Sequence, residues 1–200
     1  MNALSTAYFP PISYFVACYS RQQVLIEQWE SYTKQSIRNH CRIYGPNGEL
    51  RLSVPVNKVN GNHTLTKDIL IARDREWQKN HLRSIETAYN KSPYYLYYKD
   101  HFARFYATDF EFLVELNRQI LEEVFRILRW EKRIHFTEQF EAGILPGFEL
   151  KKKAPHPEEI VFLPEYIQVF SSKSGFIPDL SILDLIFNLG PEAGDYIASL

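Results

Sequence analysis

Residues 32–42 (YTKQSIRNHCR) carry the densest potential chemistry of the chain. Read as a strand, Tyr32, Lys34, Ser36, Arg38, His40 and Arg42 share one face, with Ile37, Cys41 and Ile43 on the other. Read as a helix, Lys34, Arg38 and Arg42 align at i, i+4 and i+8. Both geometries make a basic stripe, with Gln35, Asn39 and Tyr32 beside it. Guanidinium groups grip phosphate or carboxylate through paired hydrogen bonds, so the stripe suits an anionic small molecule. Ion pairing to Glu27 and Glu30, or plain solvation, would account for the same residues.

A second group lies in residues 77–89, where Trp77, His81, Ser84, Ile85 and Ala88 share one helical face. His81 and Ser84 interrupt an apolar stripe, and a buried polar group must find a partner. They either hydrogen-bond the scaffold or face a cleft. In a cleft, His81 would act as a general base near neutral pH, with Asn39 and Tyr8 orienting the substrate. Tyr89 and the cluster Tyr94, Tyr95, Tyr97 and Tyr98 would then wall a sugar or nucleobase by stacking, although aromatic packing explains them equally well.

Other familiar chemistries are missing from the sequence. No GxGxxG or GxxxxGK[ST] cradles a phosphate, no HExxH supplies zinc ligands, and no GxSxG presents a serine nucleophile. The six histidines are scattered without ligand spacing, so no metal site and no cofactor are expected.

The elements that must position these groups are legible in part. Residues 4–8 suit a strand ended by Pro10-Pro11, residues 12–19 a short helix, and residues 24–27 a buried strand, together a compact parallel crossover. Residues 41–56 are two alternating runs around Gly45-Pro46-Asn47-Gly48, which predicts a hairpin with Pro55 near its exit. Residues 58–67 read as a surface loop and 68–72 as a strand. Helices follow: one N-capped by Asp74, another over 94–105, and a third behind a capping box at Thr108 to Glu111. In that third helix Phe112, Leu116, Ile120, Val124 and Leu128 repeat every four residues. Residues 143–165, with Lys151-Lys152-Lys153, read as a linker or an active-site flap. Asp179 or Ser181 caps a helix over 182–189, which Gly190-Pro191 stops before a short final helix. The expected fold is α/β, a single domain in which an N-terminal mixed sheet (a βαβ unit plus a hairpin) packs on a helical C-terminal half.

Composition bounds the partners. A chain of 200 residues with 45% hydrophobic and 24% charged residues is ordinary globular material that can bury its own core. Its formal net charge of −1 gives no global field for nucleic acid or an anionic membrane. Two cysteines, Cys18 and Cys41, are too few for a disulfide framework and suit a reducing compartment. The apolar run at 12–19 lacks a basic leader and falls short of the roughly 18 residues of a membrane span, so a cytoplasmic location is expected.

Four blocks in order also carry a family likeness: AYFPPISYF; YTKQSIRNHCRI with the hairpin and LSVPV; WxxxHxxSIxxAYxxSPYYLYY; and LSILDLIFNLGPE. Together they resemble the WbqC-like protein family along nearly the whole chain, least between 136 and 164. The family pattern more often has Arg where this chain has His40, which weakens a phosphate-clamp role there. Members occur in bacterial O-antigen and polysaccharide gene clusters. The resemblance therefore implies a transferase that moves glycine or another small acyl or amino-acid group onto an amino-sugar nucleotide. Residue reading and resemblance together predict a small-molecule substrate, a sugar nucleotide or other anion, held by Lys34, Gln35, Arg38, Arg42, Tyr32, Ser84 and Tyr89. The rival expectation is a non-catalytic protein binding a phosphorylated or acidic ligand through the same residues.

Overall fold

Proline punctuation and a short apolar run set the first unit. In the computed structural model, which describes residues 3–74, 76–140 and 163–200, β1 (Leu4–Ser5) leads through Pro10-Pro11 into α1 (Ile12–Tyr19). Pro11 occupies the N-cap with φ −67°, a geometry the pyrrolidine ring imposes anyway. Strand β2 (Gln23–Glu27) returns parallel to β1, pairing Leu4 with Ile26 and Ser5 with Glu27. The expected βαβ unit is present, with β1 shorter than the apolar run predicts because residues 6–9 turn away into the core.

Composition around 133 hides the third strand. Strand β7 (Arg133–Phe136) pairs in parallel with the other edge of β2, from Gln23 opposite Arg133 to Ile26 opposite Phe136. Among the described residues this makes a parallel sheet of order β1-β2-β7, with β2 central. All three carboxyl ends therefore emerge on one side, at Ser5, Glu27 and Phe136.

The hairpin forms where predicted. Strands β3 (His40–Gly45) and β4 (Gly48–Ser53) are antiparallel, joined by Pro46-Asn47, with Gly48 at φ 106°. A side chain there would be strained, which is why turn chemistry at this position selects glycine. Strand β5 (Val56–Asn57) pairs with β6 (Leu70–Ile71).

Helices α2 (Glu76–Tyr89), α3 (Tyr95–Ala107) and α4 (Leu113–Ile127) cover this framework. The capping box predicted at 108–111 does not form. Thr108 instead ends α3, its hydroxyl donating to the Arg104 carbonyl at 3.0 Å, and α4 starts after Phe112 without a side-chain cap. Main-chain pairing with β6 takes over that backbone: Ile71 N–H donates to Glu111 at 2.9 Å and Leu113 N–H to Ile69 at 3.0 Å. Tertiary pairing thus overrides a local motif with suitable spacing.

At the C-terminus, α5 (Ser171–Ser174) precedes α6 (Ile182–Leu189) and α7 (Ala193–Ala198). Of the two predicted caps Ser181 serves, its hydroxyl accepting from Leu183 N–H, while Asp179 accepts from the Ser13 N–H and hydroxyl at 2.8 and 2.9 Å. Gly190 ends α6 at φ 56° as predicted. One apolar core runs from Leu4 to Ile197 through Phe9, Phe15, Phe102 and Phe187. Lysines 151–153 and most of the predicted linker or flap fall outside the described residues. Among the described residues no helix is long and apolar enough to cross a membrane.

Candidate functional site

Parallel pairing places the carboxyl ends of β1, β2 and β7 along one edge of the sheet, and the residues there are polar. Ser5 ends β1 and Thr6 follows it, Glu27 ends β2, and Thr137 follows β7; all four are buried. Such an edge is where open α/β sheets hold ligands, because backbone direction and loop freedom meet there. Glu27 accepts from Trp29 N–H at 2.5 Å and from the Thr137 hydroxyl at 3.2 Å. The Trp29 indole donates to the Thr137 carbonyl at 2.8 Å, and Lys67 Nζ sits 3.7 Å from the centre of a Trp29 ring.

Arg38 enters the same edge from the loop before β3. It is 1% exposed, although it belongs to the stripe expected to grip an anionic small molecule. Its Nε and Nη2 donate to the two Glu30 carboxylate oxygens at 2.7 and 2.6 Å, and Nη2 also reaches the Ser5 hydroxyl at 3.0 Å. Nη1 is buried without an acceptor among the described residues. Asn117 on α4 donates to the Arg38 carbonyl at 2.8 Å and the Thr6 hydroxyl at 3.1 Å, while its own Oδ1 is buried without a donor. A buried polar atom left unmatched costs about 1–3 kcal/mol, so such atoms concentrate where a ligand supplies the partner or where tight packing forbids one.

The basic stripe itself does not form. Residues 34–39 are a run of turns, neither strand nor helix, because the Ile37 carbonyl accepts from Tyr8 N–H at 2.8 Å and Asn39 is tied to Val54. Lys34 is exposed, and Gln35 is exposed at φ 54°. Arg38 turns inward. Arg42, on β3, pairs with Glu49 at 3.0 Å and donates to the Asp179 carbonyl at 2.8 Å. The three cations occupy three environments, so the expectation of a shared cationic grip is corrected; ion pairing, the alternative held open for these residues, describes Arg38 and Arg42. Asn39 is structural in its contacts, its amide donating to the Val54 carbonyl at 2.9 Å. Tyr32 is buried under Lys58, whose Nζ lies 5.5 Å from the ring centre.

His81 stands in a separate buried cluster. It is 5% exposed, and its Nδ1 lies 2.8 Å from the Tyr8 hydroxyl, which in turn lies 2.7 Å from the Tyr106 hydroxyl. Trp77 packs edge-on to His81 and Tyr106, with ring centres 5.2 and 6.0 Å away. Burial pushes the His81 imidazole down to about 4, nearby His40 adds to this, and a hydrogen bond to the Ser53 main chain opposes it. Burial likewise raises the Tyr8 phenol well above its ordinary value, with Tyr106 adding to the effect. The ring is thus neutral at pH 7 with Nδ1 already engaged, the arrangement of a histidine that hydrogen-bonds the scaffold, one of the two alternatives that its place in the apolar stripe leaves open. Ser84 is half-buried. Tyr89 is sealed in the core, its ring 5.1 Å from Phe187 and its hydroxyl accepting from Tyr44 N–H at 3.2 Å, rather than walling a cleft.

Residue spacing therefore picks out Arg38 but not the company it keeps. Glu30 entered the sequence reading only as an ion-pair alternative, and Asn117 did not enter it. A signal for Asn117 existed: at i+4 from Leu113 it sits among Leu116, Ile120 and Leu121 on the buried face of α4. Thr137 was hidden because β7 offers only four residues of pattern. Among the described residues no group of three or more His, Cys, Asp or Glu side chains is placed to hold a metal ion.

Comparison with known proteins adds the following. The family model of the WbqC-like protein family matches residues 6–144, which contain Arg38, Glu30 and the whole His81 cluster. The chain is 26% identical over 219 aligned positions to the uncharacterized protein Rv1507c of Mycobacterium tuberculosis, covering 95% of this chain and 94% of the relative. No solved structure matches significantly.

Proposed function

The chain belongs to the WbqC-like protein family, and from that premise we propose that it is a transferase of bacterial surface-polysaccharide synthesis which holds an anionic donor at the carboxyl ends of β1, β2 and β7. One observation carries the reading: Arg38 is almost wholly buried at that edge, clamped by Glu30 and Ser5, with Nη1 unmatched. Isolating a guanidinium from water is unfavourable unless its donors are used; Nε and Nη2 are taken by Glu30, and Nη1 is the donor left for a phosphate or carboxylate oxygen. Lys34 and Lys67, near the same loop, would draw the anion in without fixing its orientation. A sugar nucleotide is the donor or acceptor class that the family resemblance favours, and glycine or another small acyl group is the moiety moved. Holding two substrates at reacting distance would be the main source of rate. In this reading Tyr8, Asn39 and His81 do not touch the reacting atoms: Tyr8 and His81 belong to the separate buried cluster, and the Asn39 amide holds the Val54 main chain.

Calorimetric titration with UDP- and dTDP-sugars tests the proposal. Binding should weaken at least tenfold in Arg38→Lys, which keeps the charge and loses the unmatched Nη1 donor. Unchanged heat in an Arg38→Lys protein that melts like the parent would sink it. The closed surroundings of His81 favour a second reading, binding without turnover. Mass spectrometry of sugar-nucleotide mixtures incubated with the protein and amino-acid donors separates the two, since only a transferase yields a product of increased mass.

A further inference from the structure

The hairpin ladder sets two polar side chains against each other. Val54 N–H donates to the Asn39 carbonyl at 2.8 Å, so His40 and Ser53, directly opposite in the register, form a pair without hydrogen bonds between their own backbones. Such pairs hold their side chains closest across an antiparallel ladder. Ser53 Oγ accordingly lies 2.5 Å from His40 Nδ1. With the imidazole proton on Nε2, Nδ1 accepts from the Ser53 hydroxyl. Ser53 is exposed whereas His40 is 9% exposed, so the serine meets solvent and its partner is held beneath the surface. Burial, with Arg51 contributing, lowers the His40 pKa, which keeps the ring neutral and able to take a proton at pH 7. The same ladder points the Ser53 N–H away from β3, along an edge of β4 that no strand covers among the described residues. Arg51, on the same face of β4 as Ser53, is exposed and forms no ion pair among the described residues, whereas Arg42 opposite it is engaged by Glu49.

We propose that Ser53 and His40 are a nucleophile–base pair that cleaves a carboxylic ester bearing a negative charge, with the Ser53 N–H donating to the developing oxyanion and Arg51 holding the charge. The bond from Ser53 Oγ to the acyl carbon forms as His40 Nδ1 takes the hydroxyl proton. The tetrahedral centre then collapses, the ester C–O bond breaks, and His40 gives its proton to the departing oxygen. Water, deprotonated by the same ring, adds to the acyl carbon; the acid leaves, and the proton returns to Ser53 Oγ. A serine–histidine contact that merely tied the hairpin would call for neither an open N–H nor an unpaired guanidinium on the same face. Their convergence is what points to chemistry, and it does not rest on the anion site at Arg38.

Labelling of the full chain with diisopropyl fluorophosphate tests the pair. Intact mass should show one adduct, mapped to Ser53, and His40→Gln should slow its formation at least about a hundredfold, as loss of a general base does. Hydrolysis of p-nitrophenyl succinate should disappear in Ser53→Ala. In Arg51→Gln, kcat/KM for this anionic ester should fall about tenfold relative to that for neutral p-nitrophenyl acetate, the loss of one charge-assisted contact. The proposal is overturned if the parent protein takes no adduct on Ser53, if a His40→Gln protein that melts like the parent is labelled at the parent rate, or if Ser53→Ala still hydrolyses the succinate ester. An equal change for both esters in Arg51→Gln removes Arg51 from the site. Sugar-nucleotide binding enters none of these readouts, so this proposal and the one at Arg38 fail separately.

Discussion

Lowering the pH from 7 to 5 should destabilise the protein through His81, and the size of the effect follows from its burial. In the unfolded chain the imidazole takes its proton near 6.5, whereas in the folded protein burial holds that event down to about 4. Between these values the unfolded state binds a proton that the native state refuses, so stability is full above pH 6.5 and falls as pH drops toward 4. One proton difference is worth about 1.4 kcal/mol per pH unit, which gives a loss of roughly 2 kcal/mol by pH 5. With a urea dependence of about 2 kcal/mol per molar, the unfolding midpoint should fall by about 1 M. His40 is shifted in the same direction, chiefly by burial with Arg51 contributing, and therefore adds to the slope. Urea titrations at half-unit pH steps on the parent and on His81→Gln isolate the His81 share as the difference of slopes, and the His81 ring protons in NMR report its titration directly. A ring resonance that titrates near 6.5, or equal slopes in the two proteins, would falsify the account of His81 as a sealed neutral histidine.

Removing Glu30 (Glu30→Ala) should cost about 3–5 kcal/mol in urea unfolding, because it strands the buried Arg38 charge. Removing the partner of Arg42 (Glu49→Ala) should cost under about 1 kcal/mol, since that pair is partly solvated; similar losses in the two variants would contradict the assignment of buried and exposed pairs. Gly190→Ala should lower stability by at least about 2 kcal/mol, measurable as a drop in Tm: the backbone there has φ 56°, and an added Cβ would lie 2.5 Å from the Tyr94 ring.

Where local pattern and tertiary structure agreed, the sequence was readable. Proline punctuation located α1, Pro-Asn-Gly located the hairpin, and Ser181 with Gly190 bracketed α6. Reading failed where distant backbone decides. Residues 108–111 have capping-box spacing, yet their main chain is drawn to β6, 40 residues earlier in the chain. The turns at 34–39 defeat both periodic templates, so an alignment of cations valid for a strand or a helix describes neither Arg38 nor Arg42 in place. The fork chemistry of Arg38 is legible in its residue type, but its use on Glu30 and its burial depend on Glu30, Ser5 and Asn117 folded around it. For His81, the interrupted apolar stripe correctly announced a polar group needing partners; that the partners would be Tyr8, 73 residues away, and the Ser53 main chain lay beyond any local signal.

The pairing of β2 with β7 has a consequence for biosynthesis. Residues 23–26 wait for residues 133–136, so more than a hundred residues must leave the ribosome before the central strand acquires its second neighbour. Until then one edge of Val24 to Ile26 offers unpaired amides beside apolar side chains, a template for pairing with another nascent chain. Shortened chains that stop before Arg133 should therefore collect in inclusion bodies, and the closing of this long loop should govern how fast the full-length protein folds.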